Sequence, residues 1–310
     1  MKISFSKALF AVAFVGMYVS GYGQSLEPGH ANPFLSEYST PYGVPPFDKI
    51  TIQDYKEAFL KGMELQKKEI EAIVSQRSIP DFENTIEAMD RCGQLLKRVA
   101  SVFYAQNSCN TNADMQALNQ EISPLLSAHE DDISLNSRLF ERVKRVYDTR
   151  EKFHLNKEQN KLLENTYKSF VRNGANLNED EQKKLRELNS KIATLQITFG
   201  QNMLKETNAF KLVIDDKKDL SGLPDNLIAS AAETAKEMGL NGKWVFTLHN
   251  PSVMPFLQYA DNRALRERMY NAYINRGNNN NAEDNKAVVR ELISARLEKA
   301  KLMGYEDYAS

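Results

Sequence analysis

Residues 261–304 read DNRALRERMYNAYINRGNNNNAEDNKAVVRELISARLEKAKLMG, and this stretch decides the fold class. Leu265, Met269 and Tyr273 recur at helical spacing among charged residues, which predicts a first amphipathic helix. Gly277 and the run Asn278 to Asn281 end it, because Gly and Asn tolerate the left-handed backbone at a helix terminus. A second helix is expected to start near Glu283 and Asp284, whose charges suit a helix N-terminus. Its apolar positions are Val289, Ile293, Leu297, Ala300 and Met303, and Gly304 stands in the capping position.

The same grammar extends towards the N-terminus. Asn178 and Glu181 form a predicted capping box at the start of a helix over residues 179–205. Leu185, Leu188, Ile192, Leu195 and Phe199 give that helix a packing face in steps of three and four. Further helices are expected from Thr51 to about Ser78, over 82–107 as one long element, over 111–129 with Pro124 kinking or ending it, and over 139–147 and 157–173. The period changes between residues 210 and 250. Phe210 to Ile214 and Trp244 to Leu248 are short apolar runs bounded by turn residues, which predicts a small β ribbon, with a helix over 225–238 between them. Pro251 and Pro255 are read as preceding a further helix. The expected class is mainly α: a lobe of long packed helices with a ribbon near residues 210–250.

The N-terminus reads differently. Lys2 and Lys7 precede an apolar run from Ala8 to Val19, with small residues Gly21 and Gly23 before Gln24. This is the pattern of a secretory signal over residues 1–23, and the run is too short for a stable membrane anchor. A periplasmic or secreted location is therefore expected. Residues 24–50 form a proline-rich arm, with Phe34, Leu35, Tyr38, Tyr42 and Phe47 expected to pin it to a helical body. Residues 51–209 then make an N-terminal helical domain and residues 210–310 the ribbon and its following helices. Cys92 and Cys109 are read as unpaired thiols. The formal charge of −1 excludes the excess of Lys and Arg that a general nucleic-acid binder needs.

Catalytic patterns are sparse. The histidines are His30, His129, His154 and His249. His129-Glu130 begins the H-E-x-x-H zinc pattern, but Ile133 stands where the second histidine is needed. His249, between a strand and Asn-Pro, reads as a hydrogen-bonded turn residue. No G-x-S-x-G elbow and no phosphate-binding glycine pattern occurs. The residues alone assign no catalytic, cofactor-binding or metal-binding position.

Several segments in order carry a resemblance: NPF…PPFDKI in the arm, DYKEAF (54–59), FENTIEAM (82–89), FVRNGANLNEDE (170–181), LSGLP (220–224), GKWVFTL (242–248) and the close NRALRERMYNAYINRG…AKLMGYEDYA. Together they resemble the thimet oligopeptidase and peptidyl-dipeptidase family of zinc metallopeptidases, in its bacterial peptidyl-dipeptidase branch. The resemblance implies a helical, two-lobed enzyme with a channel for short peptides, and zinc held by H-E-x-x-H and a downstream Glu. That motif lies beyond the segment matching LMGYEDYA, so no zinc ligand or general base transfers to a residue of this sequence. The chain is accordingly expected to be inactive alone, to form one wall of a peptide channel, and to partner a C-terminal catalytic lobe or chain. The competing expectation is a non-catalytic helical module that captures peptides or docks on another protein.

Overall fold

Thr51 opens the helical body because its side chain accepts the Asp54 N–H while the Asp54 carboxylate accepts from the Thr51 N–H at 2.7 Å. This capping box starts α1 (Ile52–Val74). A computed structural model describes residues 30–309; residues 1–23, expected to be a signal, and the first residues of the arm lie outside the described residues. The remaining helices of the first region are α2 (Ala88–Asp90), α3 (Gln94–Cys109), α4 (Ala113–Ser134), α5 (Ser137–Asp148) and α6 (Lys157–Arg172). The chain then runs through the 31-residue α7 (Glu179–Ala209), whose Asn178–Glu181 capping box stands as expected.

The long helix expected over 82–107 is broken. Phe82–Glu87 is a π-helical turn, α2 follows for three residues, and a turn at 91–93 separates it from α3. Gly93 takes φ +73° there, and its N–H donates to Glu69 Oε2 at 2.7 Å. Arg142 of α5, itself buried, donates to Asn84 Oδ1 at 2.8 Å inside the π-helical turn. Bonds to α1 and α5 thus replace helical continuity. Pro124 neither ends nor interrupts its helix, since α4 continues to Ser134 with one face packed on α1 and the other on α7. The arm is pinned by fewer aromatics than expected. Phe34 is fully buried and Tyr38 lies 5.4 Å from the Arg98 guanidinium, whereas Leu35, Tyr42 and Phe47 face solvent.

Residues beyond α7 build a second core. Strand β1 (Leu212–Ile214) pairs antiparallel with β2 (Trp244–Phe246), placing Leu212 opposite Phe246 and Ile214 opposite Trp244. Leu212, Phe246 and Leu248 pack with Leu227 and Ala231 of α8 (Asp225–Glu237) and with Val253 and Phe256 of α9 (Asn250–Tyr259). Pro251 and Pro255 lie inside α9 rather than before it. Pro251 sits in the first turn, where its missing N–H would have had no helical partner.

α10 (Arg263–Ile274) buries Met269 completely in this core. α11 (Lys286–Leu302) starts two residues later than expected, because the Asp284 side chain accepts the Lys286 N–H at 2.9 Å. Its buried face also differs from the expected stripe. Ala295, Leu292 and Leu302 pack on Leu188 and Ile192 of α7, while Ile293 and Leu297 are 60% and 39% exposed. Small Ala295 allows close approach to α7, so the larger side chains two positions to either side, on the opposite face of the helix, are turned outwards. The fold is thus mainly α, with a two-stranded ribbon among the described residues.

Candidate functional site

The sequence-level candidates for metal binding do not converge. His30 Nε2 lies 2.8 Å from the buried Asp54 carboxylate and ties the arm to α1. His249 sits between Thr247 Oγ1 and Asn208 Oδ1, both at 3.0 Å, as a hydrogen-bonded residue before α9. Ile133, at the place of the missing second histidine, packs against the core around Phe140 and Leu163. Among the described residues no three His, Cys, Asp or Glu side chains are grouped to hold a metal ion. The residues present therefore do not fit the zinc site that the resemblance implies, and no chemical step is routed through one.

The two thiols differ in setting, Cys92 being buried and Cys109 exposed. Cys92 and Cys109 are both free. Cys92 is buried beside Ala88 O, and burial, reinforced by Glu69, pushes its thiol up to about 11. A thiol held this high is almost wholly protonated at neutral pH.

What the helices do enclose is an open cavity of about 1000 Å³ between α3, α4, α6, α7 and α11. Ser123, Leu126, Ser127, Glu130 and Ser134 line it from α4, at the three- and four-residue spacing of one helix face. Glu130 stands near the centre of that face. His129 flanks it on the α1 side, where Nε2 meets Gln66 Oε1 at 2.8 Å. Asp131 flanks it on the α7 side, where Oδ1 accepts from Asn189 Nδ2 at 2.7 Å. Lys299 of α11 completes a chain by donating from Nζ to Asn189 Oδ1 at 2.6 Å. Lys97, Tyr104 and Tyr308 also face the cavity.

Burial shapes the charges of this site. It raises the carboxyls of Glu130 and Asp131 above their ordinary range, with mutual repulsion adding at Glu130 and the Asn189 hydrogen bond opposing at Asp131. It also lowers Lys299 against the attraction of the two acids, and lowers His129, with Lys67 acting in the same direction. His129 is therefore neutral at physiological pH. Because Nε2–H donates to a carbonyl-type oxygen, Nδ1 is the acceptor; it is buried and has no hydrogen-bond partner. Each of these groups is disfavoured in its charged form, the condition of a site whose counter-charges are incomplete.

Sequence reasoning followed His129-Glu130 only as far as the missing histidine and did not find this cavity. A signal was present: His129-Glu130-Asp131-Asp132 is a polar block on a helix that otherwise shows an apolar stripe. Its partners Asn189 and Lys299 lie 58 and 110 residues away in sequence from the groups they bond, out of reach of any local pattern.

The described residues thus form a helical lobe around a mixed polar and apolar cavity. Comparison with known proteins gives its relationship. Residues 256–310 match the Peptidase family M3 profile. The chain is 39% identical over 279 residues to a dipeptidyl carboxypeptidase of Escherichia coli K12, covering 90% of this chain and 41% of that protein. It is 38% identical to the Salmonella typhimurium dipeptidyl carboxypeptidase over the same extent, and 29% identical to Escherichia coli oligopeptidase A over 282 residues. By this sequence relationship the chain belongs to peptidase family M3. It spans about two fifths of the length of the curated relatives it matches.

Proposed function

We propose that this chain is the helical wall of a peptide channel in an exported peptidyl-dipeptidase, acting on short peptides together with a catalytic lobe or chain that supplies the zinc site. The observation that carries the reading is the relationship to two dipeptidyl carboxypeptidases across 90% of the chain. In this reading residues 51–209 form the helical domain, residues 210–310 lead into the catalytic lobe, and the family's zinc supplies the activated water. The residues of this chain bind and orient the peptide and exclude folded proteins. Residues 1–23 direct export and leave a chain beginning at Gln24.

A chimera tests this. This chain replaces the matching segment of the Escherichia coli dipeptidyl carboxypeptidase, and release of C-terminal dipeptides from an N-blocked peptide is measured. Activity supports the reading; a folded, zinc-loaded but inactive chimera overturns it. The chain by itself is expected not to hydrolyse a blocked tripeptide with or without zinc, and turnover abolished by chelation would contradict that. Terminal sequencing of exported protein is expected to start at Gln24.

A second reading is a free-standing module that captures peptides without cleaving them. It is favoured by the cavity itself, which is built from this chain's own helices. Peptide binding by the isolated chain combined with an inactive chimera would select it.

A further inference from the structure

The cavity beside α4 carries charged groups from three helices. Its two lysines are engaged: Lys299 donates to Asn189, and Lys97 donates to Asp90 O at 2.9 Å. Two acceptors that face the cavity from α4, the Glu130 carboxylate and His129 Nδ1, have no such partner. Glu130 projects from the middle of the α4 face with no hydrogen bond or ion pair to any described residue, since its interactions with Asp131 and Lys299 act only through space. His129, 3% exposed, lines the same cavity with Nδ1 unpartnered. A buried acceptor without a donor, as at His129 Nδ1, costs about 1–3 kcal/mol, whereas Glu130 is exposed on the cavity wall and open to a ligand. Neighbouring Asp132 shows the contrast, because it is paired by both Lys67 at 2.7 Å and Arg186 at 2.8 Å.

A ligand that complements this arrangement carries a positive charge and several N–H donors. The ring of Tyr104 in the cavity wall suits the same ligand, because aromatic faces attract cations; the Tyr308 ring already carries the Arg296 guanidinium at 5.2 Å. Resting on the peptide-channel reading above, we propose that this cavity is a subsite for an organic cation carried by a short peptide, seated on Glu130 with His129 Nδ1 accepting a further N–H. The cation is either the peptide's α-ammonium group or a basic side chain.

Three probes separate these sources by isothermal titration of the whole chain at low salt: trialanine, N-acetyl-trialanine and N-acetyl-Ala-Lys-Ala. All three carry the same terminal carboxylate, so they differ only in the cation. Trialanine or the lysine peptide is expected to bind at least about ten-fold more tightly than N-acetyl-trialanine, the scale of one charge-assisted contact. Whichever wins identifies the source of the cation. Glu130→Gln is expected to erase the difference, and because Glu130 bonds to no described residue its unfolding midpoint should stay at the wild-type value. Equal binding of all three probes overturns the cation subsite and leaves the peptide reading standing. So does a preference that survives Glu130→Gln. Binding of none overturns both.

Discussion

Glu206 shows what one side chain does to a loop that the sequence presents as a simple break. Its carboxylate is 8% exposed and accepts the Gly277 N–H, the Asn279 amide at 2.9 Å and the Asn281 amide at 2.6 Å. The asparagine run after α10 is therefore an ordered turn stapled to α7. Asn285 extends the staple by donating to Phe199 O at 3.1 Å. Burial works against ionisation of Glu206, but the hydrogen bonds from Asn279, Gly277 and Asn281 outweigh it and hold the carboxyl below its ordinary value. Glu206→Leu leaves those three donors without an acceptor and is expected to cost about 3 kcal/mol, read from urea unfolding midpoints. The pH dependence follows from the direction of the shift. A carboxyl lowered in the folded state contributes its full stability above the ordinary value of 4.5, and loses it as the pH falls towards the folded-state value. The stability gap between wild type and Glu206→Gln should accordingly be widest at neutral pH and shrink below 4.5. A gap independent of pH would show that shape, not charge, is what Glu206 supplies.

Between elements, α1 and α3 approach each other closely. Gly62 of α1 faces the backbone of Leu96, and a Cβ placed there would lie 3.0 Å from both Leu96 Cα and N. Those are main-chain atoms that cannot rotate away, so Gly62→Ala must separate the two helices. The expected cost is about 1–3 kcal/mol by thermal or urea unfolding, and peptide binding should weaken too because Leu96 lines the cavity. Gly93→Ala acts differently. The left-handed backbone itself is strained by a side chain, and the new Cβ would meet Gln66 Nε2 at 2.5 Å. Gln66 holds His129, so a loss of about 1–2 kcal/mol with a changed environment of His129, seen by NMR, is expected. These two positions mark how far the elements were legible. The starts of α1 and α7 were readable because Thr51–Asp54 and Asn178–Glu181 write their caps within four residues. The break before α3 was not, because Glu69 and Arg142 stabilise it from elsewhere in the chain. The turned face of α11 was missed for a related reason: spacing locates apolar residues, but which of them a neighbour covers depends on small Ala295 meeting Leu188 and Ile192. The cavity needed all of these packings at once, so only its His129–Asp132 block was visible in advance.

At the scale of the whole molecule, the two ends differ in how completely they are covered. The arm and α1 close over Phe34, Phe59 and Phe103, all fully buried. Among the C-terminal helices Met269 is buried, but Tyr270 and Ile274 of α10 are 51% and 53% exposed, and Ile293 and Leu297 of α11 also face outwards. Contiguous exposed apolar area beyond a few hundred Å² promotes association in water. The described chain is therefore expected to self-associate, with a sedimentation coefficient that rises with concentration. Ile293→Glu with Leu297→Glu adds charge to side chains that already face water, so these changes should lower association while leaving the unfolding midpoint within about 0.5 kcal/mol of wild type. The same pair of substitutions separates the two functional readings. If the face meets a catalytic lobe, the double substitution placed in the chimera reduces dipeptide release. If the chain works as a capture module, peptide binding at Glu130 is unchanged, because Ile293 and Leu297 do not line the cavity, and only the oligomeric state responds. A chain that stays monomeric at all concentrations would mean that these residues are individually tolerated surface positions, and that the α10–α11 end is a finished edge of the fold.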